Sequence, residues 1–305
     1  MFYRFFNLLL ALLLCGLVNA QKQDPILKLN DLDYFEMPGI NVMVFQDIYP
    51  EGHQGGVGII QNGVRVATNG DVRLEPSPGQ WAPIPIMHKR VVDKANNRIS
   101  VSLTYPDSSR NRKGFNPIDY PDLYFTYTIT VKAEGSAIHV VVDLDKPLPK
   151  AWEGKVGFNL EFFPPALFGK GWYLDQQSGV FPRQANSSVT FDDTKEIQSL
   201  PFASGKRLVI APETSDQRMT IVSQKKDIQL FDARNKHNNG WFVVRSLVAE
   251  DATKGAIDWT IAPETIPGWK YKPVVHVSQI GYHPKQQKTA VIELDATDQK
   301  VEKAV

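Results

Sequence analysis

FTYTITV, residues 125–131, is the stretch on which the fold turns. Phe125, Tyr127, Ile129 and Val131 alternate with Thr126, Thr128 and Thr130. Successive side chains of a β-strand point to opposite faces, so this run has one apolar face and one hydroxyl-bearing face. The same period recurs on either side. Ile99, Val101, Leu103 and Tyr105 alternate with Ser100, Ser102 and Thr104; Ile138, Val140 and Val142 follow Gly135; Val156, Phe158, Leu160 and Phe162 come next. Period two repeated this often predicts an all-β fold of antiparallel sheets with one face on a core.

Working outward, residues 40–46 are apolar on both parities, which predicts a strand buried on both faces. Asn62-Gly63 separates Ile59-Ile60 from Val64–Ala67 and predicts a tight hairpin, because both residues accept φ > 0. Asn69-Gly70 reads as a further turn. Pro76, Pro78, Pro83 and Pro85 around Trp81 make a loop, since neither a central strand nor a helix tolerates that proline density. After Pro164-Pro165, residues 166–204 read as irregular. Strands resume at Leu208–Ile210, Met219–Val222, Ile228–Phe231, Trp241–Leu247 and Ile257–Ile261. No run of helical periodicity reaches twelve residues. Residues 24–262 are thus expected to form one large two-sheet sandwich. Residues 263–273, with Pro263, Pro267, Gly268 and Pro273, read as a linker.

The N-terminus has the three parts of a secretory signal peptide over residues 1–20: Arg4, the apolar Leu8–Leu14, and Val18-Asn19-Ala20. Export to the periplasm, the outer surface or the medium is expected. Cys15 is the single cysteine of the 305 residues, and Leu14 before it is larger than a lipobox accepts. The rest of the chain has no disulfide to lean on and needs a real core. A formal net charge of +1 gives no electrostatic reason to expect nucleic acid or an anionic membrane. No later run is long enough to span a bilayer, so no transmembrane segment is expected in the mature chain.

Candidate chemistry is sparse. Asp119 with Asp122, Asp143 with Asp145, and Asp192 with Asp193 are close carboxylate pairs, and each reads first as a turn or cap. His53, His88, His139, His237, His276 and His283 are scattered without a His-x-x-x-His pair, so no metal site is assigned. No Gly-x-Ser-x-Gly elbow and no phosphate-cradling loop occur, and no cofactor is expected. Asn186-Ser187-Ser188 is a glycosylation sequon, which would carry no meaning if the protein were bacterial. Aromatics beside polar groups are more informative, because sugar rings stack their C–H faces on Trp and Tyr while their hydroxyls seek Asp, Asn and Gln. Gly169–Gln177 reads as a Gly-punctuated loop exposing Trp172 and Tyr173 beside Asp175. Trp81 in its proline-rich loop, and Trp241 after Asn238-Asn239-Gly240, are the other candidate carbohydrate contacts. The bland alternative is that these rings pack over the sandwich ends.

Val274–Asp295 reads VVHVSQIGYHPKQQKTAVIELD, two short strands around the turn Gln279–Pro284. The Ser278-Gln279-Ile280-Gly281-Tyr282-x-Pro284 pattern resembles the opening of the immunoglobulin-like domain that precedes the catalytic barrel in glycoside hydrolase family 9. Residues 274–305 are then the truncated start of that domain, since a sandwich of that type needs about seven strands. Asp33–Trp81 is similar to the leader region of Bacteroidetes-type polysaccharide-degrading enzymes of that family, and the strand-rich 24–262 resembles the supersandwich of galactose mutarotase-like domains. The resemblance implies the non-catalytic N-terminal part of an exported cellulase- or endoglucanase-like glycosidase. Its partners would be a β-glucan-like polysaccharide and a C-terminal catalytic domain outside this chain. The family's catalytic aspartates lie in that barrel and match no residue here, so no catalytic residue is assigned. The alternative is a stand-alone carbohydrate-binding, mutarotase-like or lyase-like sandwich, with a cleft using Asp119, Asp122, His53, His139 or Arg183.

Overall fold

The computed structural model describes residues 26–46, 55–75, 78, 85–105, 124–185, 187–236 and 240–298. Five strands, β1 (Lys28–Leu29), β2 (Phe35–Met37), β3 (Ile40–Val44), β4 (Val57–Gln61) and β5 (Val64–Leu74), meander along one sheet. The chain then crosses to a second sheet and lays down β6 (Ile86–Asp93), β7 (Arg98–Tyr105), β8 (Phe125–Glu134) and β9 (Ala137–Leu144). Strand β10 (Val156–Phe162) returns beside β5. A four-residue helix α1 (Pro164–Leu167) leads to β11 (Gly171–Leu174) and β12 (Gln177–Val180) at the edge of the second sheet.

The remaining strands fill both sheets from the far side. The first sheet gains β15 (Ala203–Gly205), β18 (Ile228–Asp232) and β19 (Phe242–Leu247). The second gains β16 (Arg207–Ile210), β17 (Met219–Ser223) and β20 (Ile257–Pro263). Each sheet thus has nine strands among the described residues, in the orders β1-β2-β3-β4-β5-β10-β19-β18-β15 and β12-β11-β16-β17-β20-β9-β8-β7-β6. Every pairing is antiparallel, for instance Phe158 with Ser246 in the first sheet and Val131 with Val140 in the second. A separate hairpin joins β13 (Val189–Phe191) to β14 (Ile197–Ser199). A second small ribbon pairs β21 (Val274–His276) with β22 (Val291–Glu293).

The two sheets close over one apolar core. Phe158 of the first sheet meets Trp259 of the second edge to face, with centroids 5.1 Å apart and planes at 87°. The Trp259 indole N–H donates to Ser246 Oγ at 3.0 Å, so the buried ring leaves no orphan donor. Strands β7, β8 and β9 alternate buried and half-exposed along their length, as their sequence dictates. The protein is an all-β sandwich.

Three local expectations change. Asn62-Gly63 is the β4–β5 turn, with φ of 51° and 79°, but Asn69-Gly70 lies inside β5 and makes a bulge there. Asn69 sits at φ 55°, and the β5 register shifts against both neighbours, between Val57 and Ile59 of β4 and between Asn159 and Glu161 of β10. One residue in the left-handed region can reverse a chain or insert an extra residue, and the sequence signal is the same for both. Residues 166–204, expected to be irregular, hold five short strands. Strand β10 alternates in sequence but is buried on both faces, Asn159 and Glu161 included.

Candidate functional site

The expected aromatic platform is a strand. Gly171–Leu174 pairs with β12 on one side and β16 on the other, so its residues alternate across the sheet. Trp172 points inward, is 6% exposed, and lies parallel to Phe202 with centroids 6.3 Å apart. A Cβ on Gly179, its cross-strand partner, would stand 2.4 Å from the indole, so only glycine lets the ring lie flat there. Tyr173 points outward and is 52% exposed. Asp175 turns the hairpin at φ 51°, and its carboxylate accepts from the backbone N–H groups of Lys206 at 2.7 Å and Arg207 at 2.9 Å. The two-ring surface expected of Trp172 and Tyr173 is therefore one tyrosine, and Asp175 is occupied in holding a turn.

Trp241 is half-buried and stands edge-on to Phe163, centroids 4.6 Å apart, beside a small cluster of Phe231, Ala233 and Val243. It caps that cluster instead of standing free, contrary to the expectation of an exposed contact. Trp81, Asp119, Asp122, His53 and Asn186 lie outside the described residues. Asp143 accepts from Gly255 N–H at 2.7 Å, Asp145 from Thr126 N–H at 3.0 Å, and Asp192 from the N–H groups of Thr194 and Glu196. All three are turn or strand-end ties. His139 shares a 2.8 Å contact between Nε2 and Asp258 Oδ1, and Arg183 is exposed. Of the residues expected in the alternative cleft only His139 and Arg183 are described, and no described contact joins them. Among the described residues no group of three or more His, Cys, Asp or Glu could hold a metal ion.

Two arrangements go beyond the sequence reading. The first is a row of buried polar side chains across the middle of the first sheet. Asp71 of β5 and Arg245 of β19 are the direct partners of Asn159 on β10. Asp71 accepts from the Tyr127 hydroxyl of the opposite sheet at 2.9 Å and from Val72 N–H at 2.7 Å. Asn159 Nδ2 donates to Glu75 Oε1 at 2.7 Å, and Asn69 Nδ2 donates to Glu161 Oε2 at 2.5 Å. Arg245 Nη2 donates to the carbonyl oxygens of Glu75 and Lys155. Arg73 stands 4.0 Å from Glu161.

Burial dominates the electrostatics of this row. It pushes the Asp71 carboxyl up to about 6 against the opposing pull of Arg73, Tyr127 and Val72 N–H, and it raises Glu75 against Arg245 and Arg73. It pulls the Arg245 guanidinium down to about 10 against Glu75. For Arg73, burial is outweighed by Glu161, Tyr105, Asp71 and Glu75, and the net shift is upward. The Asn69 bulge is the local device that puts this register on β5. In sequence these charges read as an ordinary solvent face, and the cue that betrays them is the Asn-Gly pair within an unbroken strand pattern.

The second arrangement is at the C-terminal ribbon. Val274 and Val275 are neighbours on β21, Val291 and Ile292 on β22, and all four are exposed. Adjacent residues point to opposite faces, so neither face of the ribbon is packed. Ile280, in the connecting turn, is 100% exposed.

No protein-family model matches the chain. No curated protein matches it either. Among solved structures it is similar to the Slr1438 protein of Synechocystis sp. PCC 6803, at 9% identity and a TM-score of 0.37, over 74% of this chain and 93% of that one. Among the described residues no helix is long and apolar enough to cross a membrane.

Proposed function

We propose that the chain is the non-catalytic N-terminal part of an exported polysaccharide-degrading glycoside hydrolase, and that β21 and β22 are the opening strands of an immunoglobulin-like domain lying between the large sandwich and a catalytic barrel. The observation that carries this reading is the bare ribbon. A lone two-stranded hairpin is marginal in water, and one with Val274, Val275, Val291 and Ile292 exposed on its two faces is half of a packing arrangement. Its turn, Ser278-Gln279-Ile280-Gly281-Tyr282-x-Pro284, resembles the opening of that family's immunoglobulin-like domain, which supports the reading. The glycan of that reading is β-glucan-like, and its handling is left to the barrel. Within the reading, the sandwich serves as a spacer more readily than as a sugar platform, because Trp172 and Trp241 are spent on packing and Asp175 on its turn.

The test is turnover. Reducing-sugar release from β-glucans is measured for this chain and for the product of the same reading frame continued past codon 305. Hydrolysis by the longer product alone is expected. Hydrolysis by this chain alone would move the chemistry into the sandwich and overturn the proposal, as would a continued frame without further strands.

A further inference from the structure

The segment joining sandwich and ribbon has the composition of a loose linker, with Pro263, Pro267, Gly268 and Pro273. Its contacts are those of a joint that has been fixed. We infer that residues 264–273 form a rigid coupling with Tyr271 as its pivot, so that the ribbon, and any domain built on it, is carried in one orientation on the sandwich. This inference stands whether or not the downstream domain belongs to a hydrolase.

The sandwich side of the coupling is built from two turns. Gly39 closes the β2–β3 turn at φ 80° and Gly63 the β4–β5 turn at φ 79°. The aromatic pair Trp269 and Tyr271, edge to face with centroids 4.5 Å apart, lies against them. A Cβ on Gly63 would meet the Tyr271 ring at 3.4 Å, and one on Gly39 would meet Trp269 at 3.5 Å, so the rings stand directly over both turns. The Tyr271 hydroxyl donates to Asn41 Oδ1 on β3 at 3.1 Å. Upstream, Gln61 Nε2 donates to the carbonyls of Arg218 and Glu264, and Arg218 Nη1 pairs with Glu264 at 2.7 Å.

The ribbon side is fixed to the same residues. Tyr271 N–H donates to Asp295 Oδ2 at 2.8 Å, just past the end of β22, and Lys270 Nζ pairs with Asp298 at 2.8 Å. Asp295 is further held by the Thr297 hydroxyl and N–H, and these hydrogen bonds bring its carboxyl down to about 2. One residue thus bonds the sandwich with its phenol and the ribbon with its backbone. Proline lowers the entropy that such a joint must overcome, and the packed aromatic pair offsets part of what remains.

Limited trypsinolysis of the full chain reads this directly, because Lys270-Tyr271 lies in the coupling while Lys285-Gln286 and Lys288-Thr289 lie in the ribbon's turn. Cleavage at Lys285 and Lys288 is expected to precede cleavage at Lys270. Tyr271→Ala should raise the Lys270 rate about tenfold or more, the scale of a lost hydrogen bond and its packing. Tyr271→Phe, which keeps the ring against Gly63, should give an intermediate rate and guards against misfolding of the alanine variant. The sandwich melting temperature should stay within a degree or two for Tyr271→Phe. Wild-type cleavage at Lys270 as fast as at Lys285, or no change in either variant, would show a free tether and overturn the inference.

Discussion

The middle of the first sheet and the β7–β8–β9 meander of the second are built from similar strands and treat water differently. In the meander, inward residues such as Val101, Ile129 and Val140 fill the core, while Ser100, Thr130, Thr104 and Thr126 face outward and bond in pairs at 3.0–3.1 Å. Nothing charged is taken out of water there. Across β5, β10 and β19, buried polar positions include the ionisable or amide side chains of Asp71, Asn159, Glu161 and Arg245, with Glu75 just beyond β5. A buried ion network stabilises little overall, since desolvation offsets most of the Coulombic gain, but removing one member leaves its partner stranded. The difference teaches that one fold can hold a face whose residues are interchangeable and a face whose residues depend on one another.

The largest effect should separate those two faces. Arg245→Ala removes the donor to the carbonyls of Glu75 and Lys155 and the positive charge that most opposes the upward shift of the Glu75 carboxyl. Urea denaturation should show a loss of about 3–5 kcal/mol, as for any broken buried pair. Thr130→Ala on the meander should change stability by about 0.5 kcal/mol or less. Equal losses would erase the distinction.

A second experiment sharpens it through pH. The Asp71 carboxyl has a folded pKa of about 6 against an ordinary 3.8. A carboxyl raised on folding binds its proton more tightly in the folded state. Its contribution is therefore fully present below the unfolded value and lost as pH rises through about 6. At 1.36 kcal/mol per pKa unit the loss between pH 4 and pH 8 is about 2 kcal/mol. Asp71→Asn, which keeps an acceptor for Tyr127, should flatten that part of the pH profile in chemical denaturation. A wild-type profile that rises from pH 4 to pH 8 by the same amount as the variant's would refute the assignment to Asp71.

The same two regions show why the sequence is legible in one place and opaque in another. Period two along Phe125–Val131 has a single physical meaning when one face is wet, and β7, β8 and β9 follow it residue by residue. Along Val156–Phe162 the same pattern is present, yet Asn159 and Glu161 are buried, because periodicity reports which residues share a face and not what covers it. Trp172 and Tyr173 read as a pair because they are adjacent. Adjacency on a strand means opposite faces, and only the pairing of Gly171–Leu174 with both neighbours shows that it is a strand. The residues of the joint at Trp269 and Tyr271 are hidden behind prolines and glycines, whose usual meaning is a boundary. Composition marks the boundary and cannot show that the rings settle on Gly39 and Gly63.

The smallest expected effect concerns the bulge that gives the first sheet its buried row. A Cβ on Gly70 would stand 2.6 Å from Val57 Cβ and 2.9 Å from the Val57 carbonyl oxygen. Strand β4 would have to move, disturbing a packed core on one side and the register of Asp71 on the other. Gly70→Ala should cost about 1–3 kcal/mol, in the range of other overpacked sites. Gly135 in the β8–β9 turn is the control. It has φ 63°, and a Cβ added there would meet nothing within 4 Å, so Gly135→Ala carries only the left-handed backbone penalty of about 1 kcal/mol. The two can be told apart by more than size. Because Gly70 adjoins Asp71, its variant should also shift the midpoint of the pH profile away from about 6, whereas the Gly135 variant should lower stability equally at every pH. A Gly70 variant that does likewise would mean that the bulge and the buried carboxylate are neighbours in the chain without being coupled in energy.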